Sequence, residues 1–244
     1  MATPSTRKNT KKQTQEISRM AAIVDRLKEI YPDAVCALEW GGQYGGDREE
    51  LLRQSWKLMV MGRLSAQCTD ARVNIVCKDL FDYFPTVDAL ADGDLSEIEA
   101  IVRPCGLYRT KASSIREASR ILVQNYGGKL PDTMEELLAL PGVGRKIANL
   151  LLGDVFGKGG VVTDTHCIRI CGRLGMYPTT LSDPYRVEML LADLIDPSEA
   201  SDFCHRIVQF GRDFCRARGP RCEACPLAKQ GLCHKRNKEV SRAK

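Results

Sequence analysis

Three groups of residues in this 244-residue chain have the types and spacing to do chemistry. The first is Leu140-Pro141-Gly142-Val143-Gly144-Arg145-Lys146, a two-glycine turn between two apolar-periodic stretches. Glycine admits positive φ and lets the backbone come close to a partner. The first amides of the following helix then face outward, and with the positive end of the helix dipole they suit a phosphate. Lys146 falls in the first turn of that helix. There the dipole and neighbouring Arg145 disfavour a second positive charge, so its amine is expected to shed its proton readily. As a neutral amine it would attack an electrophilic carbon and form a Schiff base; as a cation it would contact phosphate. Both roles are open on the local sequence. Further along, in Val161-Val162-Thr163-Asp164-Thr165-His166, Asp164 opens a helix, as a cap or as a catalytic carboxylate, and one residue can be both.

The third group is Cys215-x6-Cys222-x2-Cys225-x7-Cys233. Four thiolates suit a structural zinc ion or an iron–sulfur cluster. Zinc sites usually join two short chelating pairs, and only Cys222 and Cys225 form one here. The loop between the first two cysteines carries Arg216, Arg218 and Arg221, which could grip phosphates in bidentate fashion or simply be solvated. The other seven of the eleven cysteines are scattered through helical patterns. Without an export signal they read as small buried hydrophobes rather than a disulfide framework.

The elements that must position these groups are helical. With 43% hydrophobic residues the chain can bury a core, and with 27% charged residues and no long apolar run it has no membrane span. Periodicity predicts an all-α fold of about ten helices: Ile17–Tyr31; one capped by Asp47 through Val60; one from Thr69 or Asp70 to Phe84; Thr86–Ala91; Leu95–Val102; Lys111–Tyr126; Met134–Leu140 capped by Asp132; Arg145–Phe156; Asp164–Leu174; Pro184–Leu194; and Ala200–Phe214. Val161-Val162 is the clearest hint of a strand. The net charge of +5 is uneven: residues 1–20 hold five basic residues and one acid, residues 212–244 hold ten and three, and the middle is acidic. An anionic partner is therefore expected at specific spots. Residues 1–16 read as a disordered basic arm, either a solubilising tail or a DNA-contacting or targeting segment.

The hairpin with its lysine, Thr163-Asp164-Thr165-His166, Ser65-Ala66-Gln67-Cys68-Thr69-Asp70, Gly106-Leu107-Tyr108-Arg109-Thr110-Lys111-Ala112 and the cysteine cluster together resemble the endonuclease III family of helix-hairpin-helix base-excision DNA glycosylases. The match runs from about residue 50 to 233. The resemblance implies two helical subdomains flanking an active-site cleft: 48–158 with the hairpin, and 17–47 with 159–244 carrying a C-terminal [4Fe-4S] loop. It implies a bifunctional glycosylase and AP lyase that removes oxidised pyrimidines from double-stranded DNA. Lys146 would attack C1′ of a flipped nucleotide, Asp164 would assist, and β-elimination would cut the strand. Gln67 would fill the hole left by the base, and Leu107 would wedge into the opposite strand. Gly142, Val143, Gly144, Arg145, Arg216, Arg218 and Arg221 would hold the DNA, and Cys215, Cys222, Cys225 and Cys233 the cluster, although the family's last gap is x5, two residues shorter. The expected setting is a monomer acting on DNA bearing damaged bases or abasic sites, away from membranes. It would be cytoplasmic and nucleoid-associated in a bacterium, nuclear or mitochondrial in a eukaryote. Mismatch-adenine glycosylases usually lack the lysine; pyrimidine-dimer glycosylases share it. A non-catalytic hairpin module with a structural metal is the rival of a different class.

Overall fold

The structure, a computed structural model, describes residues 4–41 and 47–234, with side chains from residue 15 onward. The last ten residues, with part of the C-terminal basic charge, lie outside the described residues, as does the start of the basic arm. Among the described residues the secondary structure is helical, in thirteen α-helices and two short 3-10 turns. The chain divides into two compact units. One is contiguous, Cys36–Lys158; the other joins Met1–Val35 to Gly159–Lys244.

The contiguous unit contains α2 (Arg48–Gln54), α3 (Trp56–Leu64), α4 (Asp70–Tyr83), α5 (Val87–Asp92), α6 (Leu95–Val102), α7 (Tyr108–Tyr126), α8 (Met134–Ala139) and α9 (Arg145–Asp154). Its core is one cluster in which Trp56, Leu58, Met59, Leu64, Leu80, Ile98, Ile115 and Leu122 are almost wholly buried. Gly62 lets α3 and α9 approach each other, since a Cβ there would stand 3.2 Å from Ile147 Cγ2. The segment Cys36–Trp40 belongs to this core through Cys36, Leu38 and Trp40.

The second unit contains α1 (Pro4–Ile30), α10 (Thr165–Leu174), α11 (Pro184–Ala192), α12 (Ala200–Asp213) and α13 (Pro226–Lys229). Ile23 and Leu27 of α1, Ile170 of α10 and Phe203, Ile207 and Phe210 of α12 are almost fully buried. The Tyr31 hydroxyl donates to Asp213 at 2.8 Å, tying the end of α1 to the end of α12.

Several expectations need correction. Helix α1 begins at Pro4 rather than Ile17, so residues 4–16 of the segment read as a disordered arm belong to the helix. Pro suits a first helical position. The single helix expected after Asp47 breaks at Ser55, which is fully buried and whose hydroxyl donates to Leu52 O at 2.7 Å. Such local bonding competes with the helix ladder. Helix α8 is capped by Thr133, not Asp132; Asp132 accepts instead from Lys158 Nζ at 2.6 Å. Val161-Val162 is in no strand among the described residues; both side chains are buried, and the Val162 N–H donates to Cys204 Sγ at 3.2 Å.

Candidate active site and cysteine pocket

The hairpin is α8, the turn Leu140–Gly144, and α9. Gly142 has φ +81°, and a Cβ there would lie 2.6 Å from Arg63 Nε and 2.9 Å from Ser114 Oγ. Conformation and space both demand glycine. Arg63 and Ser114 are themselves bonded at 2.9 Å, so the turn rests on a fixed α3–α7 pair. Val143 turns inward: its side chain is buried, and its N–H donates to Leu140 O at 3.1 Å. It anchors the turn, and its side chain is not available to DNA as the resemblance had grouped it.

Gly144 is different. Its φ is −96°, open to any residue, and a Cβ would meet nothing within 4 Å. Nothing in the space around this position requires glycine, and Gly144, as N-cap, brings no side chain to the start of α9, as close approach by an outside anion needs. Lys146 is exposed in the first turn of α9, beside half-buried Arg145.

Gln67 and Leu107 lie in the same unit, and both are exposed, Leu107 by 60%. They are the only non-glycine residues with positive φ among those described, +56° and +48°. A left-handed backbone at a side-chain-bearing residue costs about 1–2 kcal/mol and persists where surrounding structure over-determines it.

Asp164 lies in the other unit. It is the N-cap of α10, with Oδ1 accepting from Cys167 N–H at 2.7 Å. Capping uses one carboxylate oxygen and fixes the orientation of the other, so the structural duty and a chemical one are compatible.

The four C-terminal cysteines line one pocket with Arg173, Leu174, Phe210, Phe214, Pro220 and Ala228, holding about 360 Å³ with its open mouth included. Cys233, the ligand in doubt from its spacing, shares the pocket. Burial pushes the Cys215 and Cys225 thiols up; Arg173 opposes this at Cys215, and the Ala228 and Leu227 amides oppose it at Cys225. Among the described residues the four sulfurs form no compact group with three donors within 4.8 Å of one another. The other cysteines are buried and in no disulfide among the described residues, Cys68 being half-buried.

What holds this loop was not marked by any motif. Arg173 donates to Arg216 O at 2.7 Å and Ala217 O at 3.0 Å, and Arg169 to Cys215 O at 3.2 Å. Arg19 of α1 donates to Leu174 O, Gly175 O and Leu232 O at 2.7–3.1 Å. Gly175, at φ +82°, would drive a Cβ into the His234 ring. These basic residues bind carbonyls; on the loop itself Arg216, Arg218 and Arg221 are exposed, although Arg216 Nε also donates to Arg212 O at 3.0 Å. The sequence signal, visible in hindsight, is a run of arginines at Arg169 and Arg173, one helical turn apart on α10 and facing the loop.

Residues 60–197 match the model of the HhH-GPD superfamily base excision DNA repair proteins. The endonuclease III of Synechocystis sp. is 41% identical over 219 residues, 89% of this chain and 94% of that one. The chain belongs to the endonuclease III family. Two solved structures of that family, a non-covalent endonuclease III–DNA complex and a trapped endonuclease III–DNA covalent intermediate, each match with a TM-score of 0.78 and 36% identity, covering 92% of this chain and 98% of theirs. The all-α helix-hairpin-helix fold expected for this endonuclease III relative is thereby confirmed. No helix among the described residues is long and apolar enough to cross a membrane.

Proposed function

We propose that this chain is a bifunctional DNA glycosylase and AP lyase of base excision repair that removes oxidised pyrimidines from double-stranded DNA. The observation that carries the reading is the exposed Lys146 in the first turn of α9, behind a glycine that the protein's own packing does not require. The hairpin amides around Gly142 and Gly144, with Arg145, hold a phosphate. Gln67 and Leu107 enter the stack in place of an extruded nucleotide, a step that favours weakly stacked, damaged bases.

Lys146 Nζ, as the neutral amine, forms a bond to C1′ while the C1′–N bond to the base breaks and the base leaves with its electron pair. Asp164 assists by accepting the amine proton or by stabilising positive charge on the sugar. Ring opening gives the Schiff base. Loss of a C2′ proton then expels the 3′ phosphate, cutting the strand by β-elimination. The amine is returned when water hydrolyses the imine.

The chemistry of the donors fits an iron–sulfur cluster: four cysteines line one largely apolar pocket, and two amides are directed at Cys225. Cys215, Cys222, Cys225 and Cys233 would hold a [4Fe-4S] group, which supplies a rigid anchor for the Arg216–Arg221 loop. With DNA as substrate, the protein works where the DNA is, in the cytoplasm of a bacterium.

The deciding experiment is borohydride trapping on DNA with an abasic site. Wild type is expected to give a covalent adduct and Lys146→Gln none; no adduct with wild type overturns the lyase reading. A duplex panel with thymine glycol, dihydrouracil, a cyclobutane dimer and an adenine mismatch should show excision of the first two. Purified protein should be yellow-brown and contain iron; a colourless zinc protein overturns the cluster.

A further inference from the structure

Lys111 is fully buried. It lies in the inward register of α7 with Ala112, Ile115, Ala118 and Leu122, where an apolar side chain would be expected. Its ammonium donates to Leu64 O at 2.9 Å, Ala66 O at 2.7 Å and Cys105 O at 2.8 Å. Three donors thus meet three carbonyls, satisfying a charge that would otherwise be costly to bury.

These acceptors come from two separate segments. Leu64 and Ala66 lie at the end of α3, and Ala66 immediately precedes Gln67. Cys105 ends the 3-10 turn Arg103–Cys105, two residues before Leu107. The Lys111 backbone N–H also donates to Leu107 O at 3.0 Å. A side-chain hydrogen bond between Cys68 and Cys105 links the same two segments. The two left-handed, side-chain-bearing residues among those described therefore stand on two backbone segments that one buried cation fastens together.

We propose that Lys111 is a positioning residue for base extrusion, clamping the Gln67 and Leu107 segments into one rigid tool that enters the duplex as a unit. The inference rests on the lesion-excision reading above. Lys111 touches neither DNA nor the reacting sugar in this role. It fixes the spacing of the two side chains that replace the lost stacking, where even a small misplacement is expected to slow the reaction strongly.

The test compares borohydride-trapping rates on one abasic site in duplex and in single-stranded DNA, where no stack has to be refilled. Lys111→Met keeps a similar stem and removes the donors. The duplex-to-single-strand rate ratio should fall about fivefold or more; a smaller fall overturns the clamp. A loss of folding alone would lower both rates and leave the ratio unchanged. If circular dichroism shows Lys111→Met unfolded, a cycle of Gln67→Ala, Leu107→Ala and the double variant on duplex decides. The clamp predicts a double loss at least about threefold smaller than the product of the singles, and multiplicative losses overturn it. No adduct from wild type on either substrate overturns the lyase reading and the clamp with it, whereas a wild-type adduct with an unchanged ratio in folded Lys111→Met overturns the clamp alone.

Discussion

In the hairpin, contacts are withheld: Gly144 brings no side chain to the start of α9, and Lys146 is exposed. In the cysteine loop, contacts are added: Arg19, Arg169 and Arg173 fasten carbonyls of the backbone that carries the thiols. The difference teaches where each kind of site is written. A site made by omission is legible in adjacent residues, because glycine is conspicuous. A site made by cross-linking depends on partners tens to hundreds of residues away, and the donors look like ordinary surface charge.

The comparison breaks most visibly at the metal. Cys222→Ser should lose the iron and lower Tm by about 10 °C or more, whereas Lys146→Gln should keep both; thermal melts with iron analysis check this. If the serine variant retains iron and stability, the loop does not depend on its ligands.

Asp164 joins the two styles: it is a cap, and in the proposed function it is also the assisting carboxylate. Asp164→Asn keeps a side-chain oxygen for the Cys167 amide and should hold Tm while slowing trapping about 10²-fold. Asp164→Ala should lose about 1 kcal/mol as well. Equal melting of the two variants, measured by calorimetry, would remove the cap from the account.

The glycines sharpen the contrast further. Gly142→Ala meets a positive φ and the Arg63 side chain and should cost about 1–3 kcal/mol. Gly144→Ala should leave stability within about 0.5 kcal/mol yet weaken duplex binding about tenfold by covering the amides. Denaturant titration and fluorescence anisotropy separate the two effects.

The smallest effect concerns α1. Hydrogen bonds from Lys28 and Arg206 hold the Glu199 carboxyl below its ordinary range. A depressed folded-state pKa contributes stability above the unfolded glutamate value of about 4.3, lost as pH falls through the folded value. Glu199→Gln should therefore cost under about 1 kcal/mol at neutral pH and progressively less as the pH falls below the unfolded glutamate value of about 4.3, which urea titrations over a pH series measure.

The all-helical fold, most helix ends and the four-cysteine pocket were legible because caps, prolines and close spacing are local signals. Thr69, Thr86 and Asp164 cap where their types suggest. Ser55 was not legible, since a buried hydroxyl bonding back to Leu52 leaves no periodic trace. Gln67 and Leu107 owed their prominence to the family pattern; their left-handed backbones are invisible in residue type. Lys111 could have been noticed, as a lysine on the apolar face of α7.

The interrupted unit carries a timing consequence. Residues 1–35 pack with residues beyond 159, and Tyr31 waits for Asp213. At roughly 5–20 residues per second of synthesis, that is a delay of about 10–40 seconds. Meanwhile the contiguous unit, complete at Lys158, can close its core. Ile23 and Leu27 stay exposed on the nascent chain throughout, making α1 the segment most in need of shelter at the ribosome.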